Sequence, residues 1–177
     1  MSRPPRTIRP LEVHDRPAVA ALLRSVGNFS APEVETALEL IDEWLDAGEV
    51  SGYLTCVVEP DRPAGASPSV PVARSIAGYV CYGPTPLTES TFDLYWIAVD
   101  PAAQGGGYGR ALLEFAEADI RRRGGRLLLI ETASHDAYAG TIKFYARAGY
   151  TVMSRIPDYY RVGDDKLTFG KVLADAA

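Results

Sequence analysis

The residues best placed to do chemistry lie in one run, Val99-Asp100-Pro101-Ala102-Ala103-Gln104-Gly105-Gly106-Gly107-Tyr108-Gly109-Arg110-Ala111-Leu112-Leu113. An apolar, strand-like stretch ends, a glycine-rich turn follows, and an amphipathic helix begins. That order aims several main-chain N–H groups and the positive end of a helix at one point, which suits a phosphate or diphosphate. Glycines let the backbone approach the anion's oxygens closely. Spacing excludes two other phosphate loops. The dinucleotide fingerprint needs glycines at its first, third and sixth positions. Counted from Gly105 the sixth residue is Arg110, and counted from Gly107 it is Leu112. The P-loop needs Gly-Lys-Ser or Gly-Lys-Thr, and the chain has neither. What remains is Gln104-x-x-Gly107-x-Gly109 after Val99-x-Pro101. Arg110 either reaches the phosphate or stays solvated on the polar face of the helix.

The elements around this run follow from hydrophobic spacing and turn residues. Strands are expected at Arg6–Leu11, Tyr53–Glu59, Ile76–Tyr82, Phe92–Val99, Arg126–Glu131, Thr151–Ile156 and Lys166–Val172. Helices are expected from Asp15, as N-cap, to Ser25, and over Pro32–Ala47, Gly107–Arg123 and Tyr138–Ala148. On the third helix Leu112, Ala116 and Ile120 face inward, while Arg110, Glu114, Glu117 and Arg121 face out. Gly149 is the expected left-handed C-terminal residue of the last helix. Pro60 to Pro71 reads as a loop. The Leu-Leu-Leu-Ile run before Glu131 is the pattern of a strand covered on both faces. The whole is an α/β chain, a single domain over residues 1–177, built on one mixed sheet of about seven strands flanked by helices.

At these residues the chain resembles the GNAT superfamily of N-acetyltransferases. Gln104, Gly107 and Gly109 fall on the positions of that family's coenzyme-A loop, and Val99-x-Pro101 matches the strand ending before it. Phe144-Tyr145-Ala-Arg-Ala-Gly149-Tyr150 resembles the family's second signature. The resemblance implies the GNAT fold, with the sheet splayed between strands four and five. It implies acetyl-CoA as co-substrate. No metal is expected, since no metal-ligand spacing surrounds Cys56 and Cys81 and the only histidines are His14 and His135. The expected cofactor contacts are Ile97, Ala98, Val99, Gln104, Gly105, Gly106, Gly107, Tyr108, Gly109 and Arg110. A main-chain N–H around Ile97 to Val99 would face the acetyl carbonyl, where negative charge develops.

The resemblance also implies direct transfer in a ternary complex. Tyr145 matches the tyrosine that gives the leaving thiolate a proton. Glu131 matches the glutamate that takes the proton of the amine, with Asp93, Tyr95 and His135 as other candidates. A lysine-like amine has a pKa of about 10.4, so a group must remove its proton before attack. Tyr159 and Tyr160, after Pro157, are placed to wall the acceptor site. The implied activity is acetyl transfer to the primary amine of a small molecule or amino acid. The alternatives are a protein N-terminal or lysine acetyltransferase, with a peptide amine as acceptor, and a non-catalytic acyl-CoA-sensing module.

Composition agrees with an ordinary globular protein: apolar residues are 47%, charged residues 23%, and the net charge is −5. The acidic balance argues against a nucleic-acid partner. No apolar run reaches the length of about 20 residues that a membrane span needs. The start lacks the apolar core of a signal peptide, so the expected location is the cytoplasm. Cys56 and Cys81 lie in apolar strand-like runs and read as buried thiols. A homodimer is compatible with the sequence.

Overall fold

A computed structural model describes residues 6–61 and 75–173; the expected loop from Pro60 to Pro71 falls outside them from position 62 on. The strands are β1 Ile8–Pro10, β2 Leu54–Val58, β3 Gly78–Pro84, β4 Thr91–Val99, β5 Leu127–Ala133, β6 Thr151–Arg161 and β7 Asp164–Val172. The helices are α1 Arg16–Ser25, α2 Ala31–Ala47, α3 Tyr108–Arg122 and α4 Ala139–Arg147. Every expected element is present. The ends lie close to the expected ones, except that β6 runs on through Pro157 to Arg161.

The strands form one mixed sheet in the order β1-β2-β3-β4-β5-β7-β6. β4 and β5 are parallel, pairing Thr91 with Leu127 through Leu94 with Ile130. The ladder ends there, although β4 continues to Val99 and β5 to Ala133. β7 lies antiparallel to β5, placing Glu131 opposite Thr168 and Ala133 opposite Lys166. β6 is the outer strand, exposed along its whole length, with irregular register on both sides of Ser154–Ile156. Pro157 lies in the second irregular stretch, where a missing N–H breaks no ladder bond.

Local chemistry accounts for the helix ends. At the start of α2 the Ser30 side chain accepts from the Glu33 N–H, and Glu33 reaches back to the Ser30 N–H at 2.7 Å. This reciprocal pair satisfies two otherwise orphaned donors. Asp15 precedes α1, but its side chain does not cap that helix. It accepts instead from the Glu12 N–H at 2.9 Å and from both terminal nitrogens of Arg9 at 2.6 and 2.9 Å. α4 ends at Gly149 with φ of +87°, as the glycine requires.

Two compact units are formed, one by the residues up to Cys81 with Trp96–Phe115, the other by Tyr82–Tyr95 with Ala116 onward. In the first, Val19, Leu23, Ala37 and Ile41 of α1 and α2 and Val57, Tyr79 and Val80 of the sheet are buried. Cys56 and Cys81 are buried thiols there, and burial pushes the Cys81 thiol up to about 12. In the second, Ala116 and Ile120 of α3 and Leu128, Ile130, Tyr145 and Phe169 make the core.

One helix face departs from expectation. Glu117 is buried rather than solvent-facing. It accepts from the Tyr150 hydroxyl at 2.9 Å and from the Lys171 ammonium at 2.8 and 2.9 Å. Arg121 stands 3.5 Å away on the next turn. A buried carboxylate needs such partners, and β7 with the end of α4 supplies them.

Candidate active site

The glycine-rich turn is built as the sequence implies. Gly105 and Gly107 have φ of +74° and +82°, a region closed to most side-chain-bearing residues. A Cβ on Gly106 would stand 2.9 Å from the Ala103 carbonyl and 3.1 Å from the Tyr108 ring. α3 opens at Tyr108, so its first-turn amides lack intrahelical acceptors by geometry. Gln104 points its amide back to the Val99 carbonyl at 3.4 Å, tying the turn to the end of β4. Ile97, Ala98 and Val99 form the last residues of β4.

The residues around the turn divide into support and surface. Tyr108 is buried, and its hydroxyl accepts from the Asp61 N–H at 2.9 Å. Arg110 faces solvent, with its Nε 2.7 Å from Glu114. The cation that touches the turn is Arg6, which no local pattern announced. Its guanidinium carbon lies 3.8 Å from the centre of the Tyr108 ring. Its Nη2 donates to the Gly106 carbonyl, and its Nε stands 3.4 Å from Asp61.

A second cluster lies where the β4–β5 ladder ends. The register puts Asp93, Glu131 and Lys166 on one face of the sheet, since Asp93 pairs Leu129 and Glu131 pairs Thr168, each two residues from the next member. A cavity of about 220 Å³ opens there, lined by Asp93, Leu94, Tyr95 and Glu131. Lys166 Nζ stands 2.5 Å from Glu131 Oε1 and 5.0 Å from the centre of the Tyr159 ring. Tyr159 and Tyr160 pack edge to face at 4.9 Å. Asp93 accepts from the Thr85 hydroxyl at 2.7 Å. Burial raises the Asp93 carboxyl above its ordinary range, opposed by Thr85 and reinforced by the charge of Glu131.

Tyr145 stands apart from this cluster. It packs against Phe169 at 5.7 Å and Tyr150 at 6.0 Å between ring centres. Phe169 adjoins Thr168 on β7, so Tyr145 and Glu131 occupy opposite faces of the sheet. Burial, with a smaller push from Tyr138, raises the Tyr145 phenol well above its ordinary value. It is therefore protonated throughout the neutral range. His135 is engaged elsewhere: its main-chain N–H donates to Asp164 at 3.2 Å, and its ring packs on Tyr138 at 4.9 Å with Nε2 3.9 Å from the Asp164 carboxylate. Gly163-Asp164-Asp165, where the chain passes from β6 into β7, is structural too. Asp164 accepts from the Ser134 and His135 amides, and Asp165 from the Asp158 amide.

The model of the acetyltransferase (GNAT) domain matches residues 66–152. A solved structure from Desulfovibrio desulfuricans, assigned to the GNAT acetyltransferase family, is 40% identical over 96% of this chain and 99% of that one, with a TM-score of 0.85. The chain belongs to the GNAT family. The GNAT fold is shared with yncA of Salmonella typhimurium, solved with its cofactor acetyl-CoA, at 22% identity, 97% and 96% coverage and a TM-score of 0.69. A mycothiol acetyltransferase of Cellulomonas flavigena is 39% identical over 62 residues, which are 35% of this GNAT chain and 17% of that protein. The chain thus matches about a sixth of that relative's length. Among the described residues no helix is long and apolar enough to cross a membrane.

Proposed function

We propose that this GNAT member is a cytoplasmic N-acetyltransferase, one domain over residues 1–177, that moves an acetyl group from acetyl-CoA to the primary amine of a small molecule or amino acid. The observation that carries this reading is the cavity of about 220 Å³ between Asp93 and Glu131. Drug-sized ligands occupy roughly 300–1,000 Å³, so this space suits the amine end of a small acceptor. Two carboxylates at its wall attract an ammonium and accept its proton. Asp93, with its carboxyl raised by burial, would take that proton, and Glu131, paired with Lys166, would orient the amine.

The cofactor side rests on the turn. Positive φ at Gly105 and Gly107, and the absence of any space for a Cβ at Gly106, fit a backbone cradle for a diphosphate. Gly105, Gly107, Tyr108 and Gly109 would hold it through main-chain N–H groups, while the Gln104 and Gly106 amides, bonded to the Pro101 and Ala103 carbonyls, shape the turn. Arg110, paired with Glu114, would add only long-range charge. Acetyl-CoA supplies the activated acetyl group. Main-chain N–H groups around Ile97, Ala98 and Val99 would polarise its carbonyl. Tyr145 would deliver a proton to the departing sulfur; burial, which raises the phenol, makes it a weaker acid than an ordinary tyrosine, so the transfer comes late, once the thiolate has formed. Base and acid on opposite faces of the sheet keep the two proton transfers separate.

The test is thiol release from acetyl-CoA over a panel of small amines, amino acids and peptides. Turnover with small primary amines is expected. Turnover with peptides alone overturns the substrate class, and tight binding without any turnover makes the chain an acyl-CoA sensor.

A further inference from the structure

The glycines that let the turn approach an anion create a problem. Gly106 and Gly107 both lack a Cβ, so the peptide between them can rotate with little steric penalty. A trans peptide points its C=O and its N–H in opposite directions. Whichever group holds the Gly106 carbonyl therefore decides where the Gly107 N–H points.

That group is Arg6. Its Nη2 donates to the Gly106 carbonyl. Its Nη1 lies 3.4 Å from where a Gly107 Cβ would stand. The guanidinium is itself held, stacked 3.8 Å from the Tyr108 ring centre and 3.4 Å from Asp61, with only 9% of the side chain accessible. Asp61 in turn donates its N–H to the Tyr108 hydroxyl at 2.9 Å. The brace is closed: the strand lead-in, the segment after β2 and the first residue of α3 all meet at one cation.

We propose that Arg6 is the positioning residue of the cofactor turn, fixing the Gly106–Gly107 peptide so that the Gly107 N–H faces the diphosphate. This rests on the acetyl-CoA reading above. It goes beyond it by placing control of the turn on a residue outside the turn and its helix. Arg6 acts through the peptide whose carbonyl it holds. Its charge also lies within a few ångströms of the site, which adds to the effect at low salt.

The experiment measures acetyl-CoA binding by calorimetry, and S-acetylpantetheine binding by protein-detected NMR, for wild type, Arg6→Gln and Arg6→Lys. Circular dichroism checks the fold of each. Loss of a charge-assisted hydrogen bond should weaken acetyl-CoA binding about 10- to 100-fold in Arg6→Gln. S-acetylpantetheine, which has no diphosphate, should bind both proteins alike. Arg6→Lys keeps a charged donor and should recover part of the affinity. Equal acetyl-CoA affinity in wild type and Arg6→Gln overturns the role of Arg6 and leaves the acetyltransferase reading standing. Equal losses for both ligands overturn it too, since the effect is then not confined to the diphosphate. A wild-type protein that binds no acetyl-CoA overturns the acetyltransferase reading itself.

Discussion

Lys166 Nζ stands 2.5 Å from Glu131 Oε1, and the two are diagonal neighbours across the β5–β7 ladder. The carboxylate lifts the lysine above its ordinary pKa, so Lys166 stays charged at neutral pH. An incoming ammonium must share Glu131 with Lys166. Replacing Glu131 by Gln should lower kcat/KM by about 10²-fold or more, the usual scale for a base or its partner. Lys166→Met should instead tighten KM for a cationic amine. Steady-state kinetics on both variants checks this.

Asp93 gives the pH signature. Burial and the charge of Glu131 raise its carboxyl, while Thr85 opposes them. The acidic limb of the rate profile should therefore lie above the ordinary aspartate value of about 3.9. Removing the negative neighbour favours the charged form of Asp93. In Glu131→Gln the limb should move to lower pH but not all the way, because burial remains. A limb that stays in place, or moves up, excludes Asp93 as the group it reports.

Gly107 has φ of +82°, so any side chain there strains the backbone. Gly107→Asp adds a negative charge beside the proposed diphosphate. Its affinity for acetyl-CoA should fall by at least about tenfold, a loss that calorimetry would register directly. Unchanged affinity would move the diphosphate away from this turn.

Tyr145→Phe removes one hydroxyl from a packed ring cluster and should keep the fold. If the phenol is the proton donor, kcat should drop by about 10²-fold with little change in KM for acetyl-CoA. Because burial raises the phenol, no loss of activity from its ionisation should appear below about pH 10. Wild-type turnover in the variant rules the role out.

Asp15 offers a prediction about stability. Burial alone would raise its carboxyl, but the Arg9 fork and the Glu12 N–H outweigh burial and lower it. A lowered carboxyl contributes stability that is fully present above its unfolded pKa of about 3.9 and is lost as pH falls through the lower folded value. Asp15→Asn leaves Arg9 without its main partner and should cost about 3 kcal/mol at neutral pH. Urea unfolding of both proteins should show that gap narrowing below about pH 4.

Much of this was legible in the sequence because it is local. The turn from Val99 to Gly109 is set by its own glycines and by the helix it opens. The Phe144–Tyr150 signature is set by one helix and its glycine stop. Glu117 shows where local reading ends: its helical position pointed outward, yet Lys171 and Tyr150 arrive from elsewhere and bury it. Arg6 and Lys166 are the same kind of case. Each acquires its role from pairing partners far along the chain, and nothing in their neighbours' spacing encodes that.

β6 has a consequence of its own. An outer strand of eleven residues with Val152, Met153, Ile156, Tyr159 and Tyr160 exposed is a template on which another chain's backbone can dock. Two interruptions of its pairing and the missing N–H of Pro157 deny such a newcomer a continuous row of donors and acceptors. The rim is thereby blunted against fibrillar growth, and a substitution that straightens it, such as replacing Pro157 with a β-branched residue, trades that protection away.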